Sequence, residues 1–177
     1  MTYPQAVIPP AITKGTQGTT GFTTQDLKDA GRVAVRYYAV AAAAGATGTE
    51  TAITLTKSAD NAGTSTSVSF GVTSGKRFRI TALSFATRGH NTATAQTTTF
   101  NFRVNTAGSV VTTSTPIELA VRSATPATAN EWDRVIVPVP DGWEILGNGT
   151  LQFGVTAVAT YTTNAPTWDV LIVGYEY

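Results

Sequence analysis

The chain has 177 residues, 13% of them charged, and a formal net charge of +1. That length suits one hydrophobic core, with at most an extended arm, and the near-neutral balance excludes a field able to steer nucleic acid or an anionic membrane surface. Cysteine is absent, which removes disulfide frameworks and thiolate metal sites.

Residues 1–32 are expected to form an extended N-terminal arm ending in a short helical joint. "MTYPQAVIPPAI" lacks the basic flank and apolar run of a signal peptide and is broken by Pro4, Pro9 and Pro10, so the chain is expected to be made in the cytoplasm and to leave it only as part of something larger. "KGTQGTTGF" is glycine- and threonine-rich and can bury little surface of its own. With Val7, Ile8, Ile12 and Phe22 as apolar anchors, the segment has the form of a tether that inserts into a neighbouring subunit. In "TTQDLKDAGR", Thr23 or Thr24 can cap a helix that Gly31 stops after two turns.

From Val33 onward the apolar period is two, the signature of half-buried strands. Val33, Val35, Tyr37 and Ala39 share one face of the first strand, and further strands are expected at 50–57, 77–88, 97–105, 116–122, 133–139, 142–146, 150–159 and 167–177. Val68, Phe70 and Val72 alternate with small polar residues in between. "SADNAGTST", "NTAGS", "PDG" and "GNG" supply turns, and "NGT" at Asn148 reads as a hairpin. In "TTTFNFRVN", Phe100, Phe102 and Val104 face inward and Thr99, Asn101 and Arg103 outward. "RFRITALSFATR" changes parity between Ile80 and Leu83, which calls for a bulge or corner near Ala82. Threonine abundance, short turns and nearly no helix point to an all-β, antiparallel two-sheet β-sandwich of jelly-roll type spanning 33–177.

Residues able to do chemistry are few and scattered. His90, the only histidine, lies in a Gly/Asn/Thr-rich turn, where it could serve as a general base but reads more plainly as a solvated turn residue. Glu131 with Asp133, and Asp141 with Glu144, could hold calcium or act as paired glycosidase carboxylates; the plainer reading is acids flanking strands. "GVTSGKR" has the wrong glycine spacing for a phosphate loop. Lys76, Arg77, Arg79 and Arg88 form the one basic concentration, either a solvated strand face or a surface for an acidic partner. Trp132, Trp143, Tyr161, Trp168, Tyr175 and Tyr177 could stack on sugars if exposed, although Trp143 and Trp168 sit at parities that suit a core. No catalytic, cofactor or metal site is assigned.

Two stretches, "FTTQDLKDAGRVAVRYYA" and "VPVPDGWEILGNGTLQFGV" running on to "GYEY", resemble a group of small β-rich virion structural proteins encoded by tailed bacteriophages and prophages. The resemblance runs from Phe22 to Tyr177 and rests on strands and turns rather than on a site. It implies a virion protein without enzymatic function, of decoration or auxiliary type, whose partners are the phage major capsid protein or another virion protein. Copies of itself are further expected partners, because long strand edges with few charges favour a homo-oligomer, here a trimer. A tail, collar or baseplate component and a receptor- or carbohydrate-binding module are the alternatives, and a small hydrolase using Glu131, Asp133 or His90 is a distant one.

Overall fold

A computed structural model of the chain describes residues 31–60, 65–68, 71–89, 96–105, 110–126, 128, 131–162 and 164–177. Residues 1–30, where the arm and most of the helical joint are expected, and His90 lie outside these residues.

The described residues form ten strands: β1 Val33–Ala43, β2 Glu50–Ile53, β3 Thr56–Asp60, β4 Ser65–Val68, β5 Arg77–Arg88, β6 Gln96–Val104, β7 Ile117–Thr125, β8 Trp132–Leu146, β9 Phe153–Thr160 and β10 Thr167–Glu176. They make two antiparallel sheets, one of order β4-β3-β1-β10-β5-β8 and one of order β2-β9-β6-β7. The pairing is nested. β1 pairs with β10, β2 with β9, β5 with β8 and β6 with β7, as in one long hairpin, and this ribbon is rolled up by the further pairs β10–β5 and β6–β9. The β3–β4 hairpin extends the larger sheet beyond β1.

Alternation along each strand sends one set of side chains between the sheets. Val35, Tyr37, Ile80, Leu83, Phe85, Val170 and Ile172 from the larger sheet meet Ile53, Phe100, Phe102, Phe153, Val155 and Ala157 from the smaller. Aromatic rings organise both halves of this core. Tyr37 packs edge-on against Phe78 and Phe153, at 5.2 and 4.7 Å between centroids, while Phe100 stacks on Phe85 at 5.3 Å and meets Trp168 edge-on. The buried indole N–H of Trp168 donates to Thr98 Oγ1 at 3.3 Å.

The parity change in "RFRITALSFATR" is a bulge at Thr81. Ile80 pairs with Gly174 and Ala82 with Val173, so Thr81 is the extra residue, and its hydroxyl donates to the Val173 carbonyl. Gly174 is needed opposite it, because an added Cβ there would collide with the Arg79 carbonyl and the Phe78 ring.

Three local expectations are corrected. "PDG" does not separate two strands: Pro138 pairs with Ala82 and Trp143 with Ile80, so β8 makes an excursion opposite the Thr81 bulge and rejoins the same partner. The stretch 50–57 is two strands, β2 in one sheet and β3 in the other, joined by a corner at Thr54 and the fully buried Leu55. "NGT" likewise carries the chain between sheets rather than around a hairpin. Asn148 Oδ1 accepts from the N–H and hydroxyl of Thr150, an Asx turn, and Gly149 takes φ +82°.

Candidate interaction surface

The outer face of the larger sheet exposes apolar side chains in register. Tyr38, Leu171, Ser84 and Ile136 line up across β1, β10, β5 and β8, with Asp169, Ala86 and Arg134 in the adjacent row on one side and Arg36, Val173, Ala82 and Pro138 on the other. In these three rows β5 contributes only the small residues Ala82, Ser84 and Ala86, so it forms a trough between the larger side chains of its neighbours, with Arg88 beyond one end and Arg79 beyond the other. The depression, about 440 Å³, is lined by Arg36, Tyr38, Val40, Arg134, Asp169 and Leu171 together with that floor.

Val40 is 71% exposed, Ile136 63%, Trp132 44% and Leu171 39%. Isolated exposed hydrophobes are ordinary, but a set on one sheet face reads as contact surface. One of them, Val40, stands next to a strained backbone position. Between Ala39 and Ala42, β1 carries a bulge at which Ala41 adopts φ +51°, a conformation that costs an L-residue about 1–2 kcal/mol. The Asp169 carboxylate accepts the Ala41 N–H at 2.7 Å and fixes the bulge.

The acids singled out from the sequence hold structure together. Asp133 accepts from the Ser123 hydroxyl at 2.9 Å and the Ala124 N–H at 2.8 Å, fastening β8 to β7 across the sandwich. Glu131 is exposed. Glu144 accepts from the Tyr177 hydroxyl at 2.5 Å and lies 3.5 Å from Arg77 and 3.8 Å from Arg79, so two of the four basic residues share an acid of their own. That hydrogen bond to Glu144 raises the Tyr177 phenol above its ordinary value. Among the described residues no cluster of three or more His, Asp or Glu side chains could hold a metal ion.

The aromatics divide. Trp168 is core, as its parity indicates, and Tyr161 donates to the Gly45 carbonyl at 2.6 Å. Arg32 lies over the Tyr175 ring and Arg88 over Trp132. Trp143, expected in the core, is 38% exposed: β8 is an edge strand, so an inward-facing residue there stands at the open flank.

Sequence reasoning missed the most elaborate polar site. Asn101 and Arg103 point away from the core as expected, yet both are buried, because residues 110–116 cross over that side of the smaller sheet. Arg103 donates to Glu50, to Thr156 Oγ1 at 2.9 Å and to the Thr115 carbonyl, while Asn101 Nδ2 donates to Glu50 at 2.9 Å. Burial alone would raise the Glu50 carboxyl, but hydrogen bonds from Thr156, Arg103 and Asn101 and the Arg103 charge hold it below the usual carboxylate range. An arginine on a strand's outward parity gives no sign of this, since the covering segment is remote in pattern.

Val7, Ile8, Ile12 and Phe22 lie outside the described residues. No protein-family model matches the chain, and a comparison with curated proteins found no match either.

Proposed function

We propose that this chain is a non-enzymatic structural protein of a tailed-phage virion, a capsid decoration protein that binds the shell through the outer face of its larger sheet. The observation that carries this reading is that face: Val40, Leu171, Ile136 and Trp132 stand exposed over a small-residue trough, beside a strained backbone bulge. The nested pairs support a jelly-roll reading of the sandwich. Without the β3–β4 hairpin, the sheets pair as an eight-stranded ribbon folded into two Greek keys, an architecture frequent in viral capsid and lectin domains. The fold alone argues by analogy; the exposed face argues from chemistry.

In this reading the partner is the major capsid protein or another virion protein, and the working state is a homo-oligomer, with a trimer favoured. Val7, Ile8, Ile12 and Phe22 would anchor the arm on a neighbouring subunit. The test is binding of the purified protein to shells assembled without it. Leu171→Asp and Ile136→Asp, both at exposed positions, should leave the fold intact and weaken shell binding at least about tenfold. Undiminished binding by both variants would remove the face from the account. A tail, collar or baseplate position uses the same face on a different partner and is separated from a head position by copy number.

A further inference from the structure

We infer that the outer face of the larger sheet takes an acidic protein surface, one whose carboxylates ring an apolar patch. This rests on the shell-binding role proposed for that face and adds the partner's chemistry.

The formal net charge of +1 conceals a segregation of charge. On β1, β10, β5 and β8 the outward positions carry Arg36, Arg77, Arg79, Arg88 and Arg134, against the two carboxylates of Asp169 and Glu144. Arg32, just before β1, lies 4.9 Å over the ring of Tyr175, another outward residue. Both carboxylates are already engaged, Asp169 by the Ala41 N–H and Glu144 by Tyr177, Arg77 and Arg79. Other acids are turned elsewhere: Glu176 pairs with the buried Lys57, Asp133 reaches inward to β7, and Glu50 pairs with Arg103 on the smaller sheet. These four strands therefore present an excess of guanidinium charge on one face. Its reach is about one Debye length, roughly 8 Å, so it selects a docked partner rather than steering a distant one.

Position and side-chain type decide what kind of anionic surface fits. The centre of the face is the row of Tyr38, Leu171, Ser84 and Ile136, and the arginines stand around it. Arg134 lies one row to one side and Arg36 one row to the other, with Arg88 and Arg79 farther out along β5. From Arg79 to Arg88 is about 27 Å along the strand, and from β1 to β8 about 14 Å across. With side chains added, the patch approaches the roughly 800 Å² that each partner gives to a standard interface. An apolar centre inside an arginine rim, with Tyr38, Trp132 and Tyr175 present and no lysine on these four strands, is the composition of a protein interface. A phosphodiester chain would desolvate Leu171, Ile136 and Val40 without covering them with apolar surface. Asp and Glu on a protein partner can instead meet guanidinium in bidentate geometry beside an apolar contact. Stacking of Arg88 on Trp132, at 5.5 Å, and of Arg32 on Tyr175 restrains the guanidinium groups without neutralising them, which lowers the entropy cost of docking.

The experiment measures binding of the full chain to shells assembled without it, from about 50 to about 500 mM NaCl. The parent is compared with Arg36→Glu, Arg134→Glu, Leu171→Asp and Arg122→Glu, with melting temperature recorded for each. Arg36 and Arg134 are exposed, and Arg122, exposed on β7 of the smaller sheet, makes the same change of net charge on another face. Affinity should fall at least about tenfold over that salt range, and about tenfold in each of Arg36→Glu and Arg134→Glu at low salt, while Arg122→Glu binds like the parent. Binding lost in Leu171→Asp but kept in both outer-face arginine variants, and insensitive to salt, retains the face and overturns the acidic partner. No binding by the parent, or binding unaffected by all three outer-face variants, removes the shell-binding role as well. Equal weakening by Arg122→Glu overturns the inference by tracing the effect to net charge alone. Sheared duplex DNA and phosphatidylglycerol vesicles are titrated in parallel, and tighter binding of either than of the shells would replace the acidic protein with a nucleic acid or a membrane.

Discussion

Lys57 on β3 and Glu176 on β10 form a buried ion pair, Nζ to Oε1 2.6 Å, across the end of the sandwich. The ammonium also donates to the Gly71 carbonyl at 2.9 Å and Thr73 Oγ1 at 3.2 Å, and Thr73 returns its hydroxyl to Glu176 Oε2 at 2.6 Å. Beneath them the buried Tyr37 phenol is held far above its ordinary value, by burial first and by the Glu176 charge second. The pair thus pins the 71–73 segment against two strands that are not neighbours in the sheet.

Removing one partner leaves a buried charge without compensation, which costs about 3–5 kcal/mol. Lys57→Met should show a loss of that order in urea unfolding, and the double variant Lys57→Met, Glu176→Leu should recover much of it, since the uncompensated charge is gone. A single-variant loss under about 1 kcal/mol would mean the pair is effectively solvated.

Glu50 predicts a pH dependence with a definite sign. Its folded carboxyl lies below the usual range, so it contributes stability above the unfolded value of about 4.3, and that contribution is lost as pH falls through the lower folded value. The melting temperature should therefore fall from about pH 5 downward, and Glu50→Gln should flatten that part of the profile while lowering stability near neutrality. An unchanged acid slope in the variant would assign the loss to other carboxylates.

Strand β6 separates two kinds of interior. Phe100→Ala and Phe102→Ala should each cost about 3–5 kcal/mol, since both rings are fully buried among other aromatics. Thr99→Ala on the opposite face should stay within about 0.5 kcal/mol. Arg103→Ala, on that same outward parity, should be strongly destabilising because it strands Glu50 in a partly buried site. Denaturant midpoints for the four variants check the ordering.

Period-two alternation made most of this sandwich legible, because each strand has one dry face. The same regularity hid the corners. Ile53, Leu55 and Lys57 are all buried at alternate positions, yet the chain passes from one sheet to the other between them. Both sheets face the same core, so the alternation runs through the corner unbroken. Parity found the Thr81 bulge but not its companion in β8, where Pro and Gly imitate a chain reversal. Nested pairing joins residues far apart in sequence and leaves no local trace. The exposed face was hidden for a related reason: Val40, Leu171 and Ile136 come from three strands, and only register brings them together.

The arm gives a further test. Deleting residues 1–22 removes Val7, Ile8, Ile12 and Phe22 but none of the contacts described here, so the melting temperature should be nearly unchanged while incorporation into the oligomer or the particle drops sharply. Collapse of the fold, or equal incorporation, would show that these residues are not a tether.

Quantitative mass spectrometry of purified phage particles that carry this gene tests the central claim most directly. A decoration protein should be present in stoichiometric proportion to the major capsid protein. A small multiple of the vertex or tail symmetry would move it to the tail while keeping it structural, and its absence from particles in which the other virion proteins are found would contradict the account.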